Sequence, residues 1–256
     1  MKTIFYKLIL CLALFITLLF LYTPQINNKI YKGKEKDVYV SVEMNQEVHQ
    51  ILLDDYLLGV VAGEMPASFE QEALKAQAIV ARTYTIYKIN NKKHDNADIC
   101  DSSLCCQAWI SKEDRLSKWD EDQRQNYWEK ISNAVNSTKG KIITYNNAPI
   151  NAFFHANSGG TTEVPKEVWG GTNYPYLQVV QTSGEEGYTQ YSSEVKLTYE
   201  ELNNKLKEKY SDIQINFEND DDIKILEYTN SNRVKTIKFG NHELSRCRNN
   251  RKRNGQ

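Results

Sequence analysis

Apolar and polar positions divide the chain into unequal parts. From Ile4 to Tyr22 nineteen mostly apolar residues run together, with Lys7 the one charge among them. At about 1.5 Å per helical residue this stretch nearly spans a hydrocarbon core of about 30 Å, and Lys7 can snorkel to the headgroups. Thr23-Pro24-Gln25-Ile26-Asn27 follows without a small-x-small cleavage pattern. The pattern predicts an uncleaved N-terminal transmembrane helix within residues 1–23 and a polar linker over 24–37. Lys2 favours a cytoplasmic N-terminus, whereas Lys29, Lys32, Lys34 and Lys36 oppose it.

Beyond the linker the periods alternate. Val38–Val42 repeats every second residue and predicts a strand. Tyr56–Ala62 is apolar enough for a short buried helix, which Pro66 must end. Ser68 and Gln71 have the spacing of a capping box, predicting a second helix from Phe69 to about Ile89. On it Leu74, Ala78, Ala81 and Thr85 share one face, with Gln77 and Tyr84 beside them. Residues 198–209 predict a polar helix started by Thr198. Ile223–Tyr228 and Arg233–Phe239 predict two strands around an Asn-Ser-Asn turn. The expected fold is therefore α+β, a helical lobe on a mixed β/α region over residues 38–245. The last eleven residues, 246–256, are basic and carry no apolar period.

Composition narrows the function. With 256 residues, 40% hydrophobic and 25% charged, the chain can build a real core. Disordered and disulfide-stapled classes are excluded. A net charge of −1 argues against a nucleic-acid binder, which needs a basic face. The 16 Tyr and 4 Trp suit a sugar- or peptide-binding surface.

Two groups carry candidate chemistry. Glu64 is a lone carboxyl at the break between two helices, flanked by Val60, Val61, Met65 and Pro66. Desolvation there would raise its pKa and the following helix terminus would lower it. If burial wins, Glu64 is a general acid near neutral pH. His94, Cys100, Cys105 and Cys106 place four soft donors within thirteen residues. Three thiolates and an imidazole fit a closed tetrahedral structural zinc site. Reduced thiols, or one disulfide such as Cys100–Cys106, are the alternatives. Phe154-His155 followed by Ser158-Gly159-Gly160 predicts a strand end and a turn that lets backbone approach a ligand. No orienting acid or oxyanion hole accompanies it, so a Ser–His hydrolase is not indicated. Trp169 and Tyr176 are either sugar-stacking surfaces or core aromatics.

Two blocks carry a resemblance. The first is Tyr-Leu-Leu-Gly-Val-Val-Ala-Gly-Glu-Met-Pro-Ala-Ser-Phe over 56–69, continued by Glu-Ala-Leu-Lys-Ala-Gln-Ala-Ile-Val-Ala-Arg-Thr-Tyr over 72–84. The second is Phe-His-Ala-Asn-Ser-Gly-Gly-Thr-Thr-Glu over 154–163, followed by Val168-Trp169-Gly170 and Pro175-Tyr176-Leu177. Together they resemble the stage II sporulation protein D family, which includes a sporulation lytic transglycosylase and related amidase-enhancer domains. The resemblance implies that Glu64 is the acid/base cleaving the bond between N-acetylmuramic acid and N-acetylglucosamine. It implies that Lys75, Gln77, Arg82 and Tyr84 support activity, with Arg82 able to grip a lactyl carboxylate of peptide-free glycan. It implies that His155 and Ser158 line the same cleft. It implies zinc at the cysteine cluster, although Cys105 stands where the family pattern has His. It further implies an amidase partner, stage II sporulation protein P, and a membrane partner, stage II sporulation protein M. The body would lie outside the cytoplasm, between mother cell and forespore, where the glycan is. A non-catalytic amidase enhancer is the second reading and a muramidase-type hydrolase the third.

Overall fold

The computed structural model describes residues 37–189 and 191–245. The apolar stretch 4–22 and the basic tail 246–256 lie outside the described residues. Among the described residues no helix is long and apolar enough to cross a membrane. The chain divides into two compact units, one ending at Phe154 and the other beginning at His155. Both helices and sheets are present, a mixed α+β composition.

The first unit opens with a hairpin, β1 (Tyr39–Met44) and β2 (Glu47–Leu52), paired antiparallel. Asn45 and Gln46 join them with φ of 51° and 69°. A two-residue hairpin turn needs left-handed backbone at both positions, which Asn tolerates. The alternation expected at 38–42 is β1, and β2 had no expectation. β3 (Ile99–Cys100) runs parallel to the other edge of β1, with Glu43 opposite Cys100.

The chain turns from β2 straight into α1 (Leu53–Glu64), longer at its start than the expected Tyr56–Ala62. Met65 is extended, as a residue before Pro must be, and α1 stops there. α2 (Gln71–Asn90) follows, then α3 (Lys112–Ser117) and α4 (Glu121–Ser137). Val40 and Val42 of β1, Leu57, Val60 and Val61 of α1, Leu74, Ala78 and Ala81 of α2, and Ile131, Ala134 and Val135 of α4 close one core. Each buried large aliphatic side chain contributes about 1.5–3 kcal/mol relative to exposure. The apolar face expected on α2 is thus the face turned to α1 and α4.

The expected capping box does not form. α2 starts at Gln71, with Glu70 as its N-cap and no side-chain cap bond. Phe69 N–H closes a turn on Pro66 O at 3.1 Å, and Lys130 takes the carbonyls of Ser68 and Phe69. The Gln71 amide donates to Lys130 O at 3.2 Å, so it is spent on α4 rather than on Ser68. A short hairpin, β4 (Thr144–Tyr145) with β5 (Ala148–Pro149), completes this unit.

The second unit holds α5 (Pro165–Trp169), α6 (Tyr199–Lys207) and an antiparallel sheet of β6 (Ile223–Tyr228), β7 (Val234–Phe239) and β8 (His242–Ser245), in that order. Thr198 and Glu201 form a full capping box at α6, as the start signal at Thr198 predicts. β6 and β7 match the two expected strands. β8 had no expectation; it follows a turn at Gly240, whose φ is 57°.

Candidate active site and metal cluster

Glu64 is the last residue of α1 and is half-buried. Its Oε1 accepts the Ala108 N–H at 2.5 Å. Of its apolar neighbours in sequence, Val60 and Val61 are spent on the core and Pro66 is exposed. The carboxyl is instead held by a backbone strap, residues 107–110, that runs along α1. Gly59 and Gly63, one helical turn apart, make that approach possible. A Cβ on Gly59 would lie 2.2 Å from Trp109 Nε1 and 2.7 Å from Ile110 O, and one on Gly63 would lie 3.3 Å from Ala108 O. Ile110 N–H donates to Gly59 O at 3.3 Å. Gln107 is buried, its Nε2 donating to Tyr56 OH at 3.1 Å and to Thr85 Oγ1 at 3.0 Å. Gly59→Ala is expected to lift the strap and destabilise the unit by about 1–3 kcal/mol, read as a lowered thermal midpoint. An unchanged midpoint would contradict this packing.

The strap leaves directly from the cysteine cluster. His94 lies beyond the end of α2, Cys100 ends β3, and Cys105 and Cys106 sit in a turn whose two amides both donate to Ser102 O. That turn brings adjacent side chains to one point. The four donor atoms lie within 4.8 Å of one another. His94 Nε2 is 3.3 Å from Cys106 Sγ and 3.6 Å from Cys105 Sγ, and the two sulfurs are 3.9 Å apart. A tetrahedral zinc site has S···S edges of about 3.8 Å and N···S edges of about 3.5 Å, from its bond lengths. The donor set therefore fits zinc. A disulfide needs about 2.05 Å, and all three cysteines are free.

The surroundings suit such a site. His94 Nδ1 is 3.5 Å from Glu43 Oε2, a carboxylate placed to orient the ring with Nε2 toward the thiols. Burial pushes the Cys100 thiol up to about 12. At Cys105 burial raises the pKa, but the Lys93 ammonium at 3.1 Å, together with hydrogen bonds from Cys100 and Cys106, holds the thiol below its usual range. Lys93 thus offsets the extra negative charge that a third thiolate brings. Asp98 ties the loop to β1 by accepting from Ser41 N–H at 2.9 Å and Ser41 Oγ at 2.7 Å. Burial would raise the Asp98 carboxyl, but these bonds and Lys92 at 2.9 Å hold it below the usual range.

The other candidates are placed differently from one another. Lys75 is half-buried and pairs with Glu72 at 2.6 Å. Gln77 is buried, and its Nε2 makes no hydrogen bond among the described residues. Arg82 does not offer itself to a ligand carboxylate. It is 2% exposed, with NH1 on Thr138 O at 2.8 Å and NH2 on Val135 O at 3.2 Å and Asp54 Oδ1 at 3.1 Å. Its guanidinium joins the carbonyl end of α4 to the first turn of α1. Tyr84 is buried against the thiols; burial, then Cys106, pushes its phenol well above the usual range.

His155 and Ser158 belong to the second unit. His155 is exposed. Ser158 is buried, and its hydroxyl lies 2.6 Å from Thr182 Oγ1 and 2.7 Å from Glu185 Oε2. Glu185 also accepts Gly160 N–H at 3.0 Å and Ser158 N–H at 3.1 Å. These bonds, the Gly160 amide first, hold its carboxyl down at about 2. Arg233 grips the carbonyls of Ser158 and Thr161 from the other side. The Ser158 hydroxyl therefore braces its loop rather than serving as a nucleophile. Trp169 is exposed and Tyr176 half-buried, its ring 5.6 Å from that of Tyr174.

Sequence reasoning did not single out Gln107, Ala108, Glu43, Lys93 or Glu185. For the strap there was one signal, two glycines four residues apart on a helix, which marks a close backbone approach.

The sequence is similar to those of known proteins. Residues 41–145 match the family model described as SpoIID, stage II sporulation protein. Stage II sporulation protein D of Bacillus subtilis (strain 168) is 38% identical over 165 residues, 63% of this chain and 48% of that protein. Its counterpart in Bacillus amyloliquefaciens is 36% identical over 178 residues, 68% of this chain and 51% of that protein. An amidase enhancer of Bacillus subtilis (strain 168) is 36% identical over 121 residues, 47% of this chain and 14% of that protein. The chain spans about half the length of the two stage II sporulation proteins D it matches. The match runs from within β1 to the end of β4, and so includes both Glu64 and the whole cysteine–histidine cluster. With that region in common, the chain belongs to the stage II sporulation protein D family.

Proposed function

We propose that the chain is a peptidoglycan lytic transglycosylase that cleaves peptide-stripped glycan between N-acetylmuramic acid and N-acetylglucosamine during sporulation. The observation that carries this reading is the Glu64 carboxyl, half-buried at the end of α1 with Oε1 held by the Ala108 amide. A backbone N–H can only donate, so Oε1 is the accepting oxygen in either charge state. The transferable proton therefore belongs on Oε2. From there it passes to the leaving glycosidic oxygen, and the carboxylate then takes the proton of the muramic C6 hydroxyl as the 1,6-anhydro ring closes. One carboxyl serves both transfers because the nucleophile is part of the substrate. A hydrolase would call on a second carboxylate to activate water.

Zinc is the ion we assign to His94, Cys100, Cys105 and Cys106. Four protein donors leave no open position, so bound zinc would supply a fixed tetrahedral link and no chemical step. The fixed link keeps the strap against α1, and the strap keeps Glu64 aimed. With Arg82 engaged inside the fold, Lys75 is the candidate cation, among those named for the site, left to meet a lactyl carboxylate, and exchanging its Glu72 partner costs little at the surface. Anchoring through residues 1–23, a body outside the cytoplasm between mother cell and forespore, and work beside the sporulation amidase and stage II sporulation protein M complete the proposal.

The match to an amidase enhancer favours one second reading, a protein that presents glycan to an amidase without cutting it. Digestion of purified peptide-free glycan by the full chain, with product masses, separates the readings. Anhydro-muramic ends are expected. Reducing muramic ends would replace the transglycosylase by a hydrolase, and uncut glycan together with amidase stimulation would replace it by the enhancer.

A further inference from the structure

We propose that Gln107 is a positioning residue that couples the cysteine–histidine cluster to the orientation of the Glu64 carboxyl. The inference rests on the reading of Glu64 as the acid/base, and its deciding readout, zinc affinity, does not depend on glycan cleavage.

Three consecutive residues do three different things. Cys106 gives its sulfur to the cluster, Gln107 enters the core, and Ala108 gives its N–H to Glu64. Gln107 is only 1% exposed, and its amide nitrogen bridges α1 through Tyr56 OH and α2 through Thr85 Oγ1. The direction of that bridge is set. The Thr85 hydroxyl donates to Ala81 O at 2.8 Å, so toward Gln107 it can only accept, and Nε2 must be the donor. Both hydrogens of the amide nitrogen are thereby used. The Gln107 side-chain oxygen, also buried, has no hydrogen-bond partner among the described residues. A buried amide with one end unsatisfied costs free energy that an apolar side chain of similar volume would not. Packing alone does not call for glutamine here, whereas a fixed register of the strap does.

The strap is held on the far side too, by Ile110 N–H on Gly59 O and by Trp109 against the bare face of Gly59. Between these holds Ala108 cannot shift without breaking a bond to α1 or α2. The position of the Cys106 backbone is therefore passed to the Ala108 N–H in one residue. Coupling of this kind is reciprocal: what the cluster does for Glu64, Glu64 does for the cluster.

The test is the zinc affinity of the full chain, measured by competition with a chromophoric chelator under a non-coordinating reductant. Glu64→Ala is expected to weaken zinc binding about tenfold, the size of one charge-assisted hydrogen bond. In a Gln107→Ala background the same change is expected to shift it by no more than about twofold, because the link is already cut. On glycan, Gln107→Ala is expected to lower kcat about tenfold with KM within about twofold, a split that simple loss of stability does not produce. Should Gln107→Ala fail to fold, Tyr56→Phe removes one of the two acceptors, keeps the ring, and is expected to halve the coupling on a logarithmic scale. Zinc affinity unmoved by Glu64→Ala, or equal effects of Glu64→Ala with and without Gln107, would overturn the proposal. A parent chain that shows the coupling and cuts no glycan would overturn the transglycosylase reading and leave the coupling standing.

Discussion

Glu64→Gln is expected to slow glycan cleavage by about 10²- to 10⁴-fold and to leave the thermal midpoint nearly unchanged. The amide oxygen of glutamine can still accept the Ala108 N–H that Oε1 accepts now. The side chain keeps its length, and the half-buried site loses no volume. What disappears is the proton on the second oxygen, needed at the leaving group, and the base that must recover it from the sugar. Because one carboxyl is assigned both steps, there is no second group to fall back on, and the loss should lie in kcat with KM little changed. The measurement is product release from peptide-free glycan beside a thermal melt. A variant within a few-fold of the parent would remove Glu64 from the chemistry.

Arg82→Ala is expected to cost about 3–5 kcal/mol of stability in urea unfolding, the usual range when one partner of a buried ion pair is removed. The guanidinium is 2% exposed and meets three places at once: the carbonyls of Val135 and Thr138 at the end of α4, and Asp54 in the first turn of α1. Removing it takes one hydrogen bond from each of two carbonyls, which keep only the Thr138 and Lys141 N–H groups and the Thr138 hydroxyl, and leaves Asp54, whose side chain is 20% exposed, with Lys139 at 3.5 Å as its remaining cation among the described residues. Arg82→Lys is expected to recover only part of the loss, since a single ammonium cannot span the same three partners. A variant of unchanged stability but raised KM would instead return Arg82 to the role of a substrate clamp.

These two residues show how far the sequence could be read. The helix break at which Glu64 stands was legible because its setting is local: an apolar run and a proline two residues on. The cysteine–histidine cluster was legible from spacing alone, since His94 to Cys106 span one loop. Arg82 was misplaced because its partners, Asp54 and Val135–Thr138, lie 28 and more than 50 residues away. On a helix of alanines and valines an arginine looks spare until α4 is packed beside it. Ser68 failed as a cap for the same reason: Lys130 and Gln71 are recruited across the interface with α4, and tertiary bonds outweigh a local signal. The β2 hairpin went unread because Asn45-Gln46 lacks the glycine that usually marks such a turn. The strap lay furthest from view, for it joins a thiol cluster to a carboxyl through backbone atoms, which have no signature of their own.

Digestion of peptide-free glycan in heavy-oxygen water, read by mass spectrometry for the parent chain and for Glu64→Gln side by side, tests the central claim most directly. The account predicts muramic ends from the parent that lack one water and carry no heavy oxygen, and no such ends from the variant. Heavy oxygen at the new muramic ends, or the same products from both proteins, would contradict it.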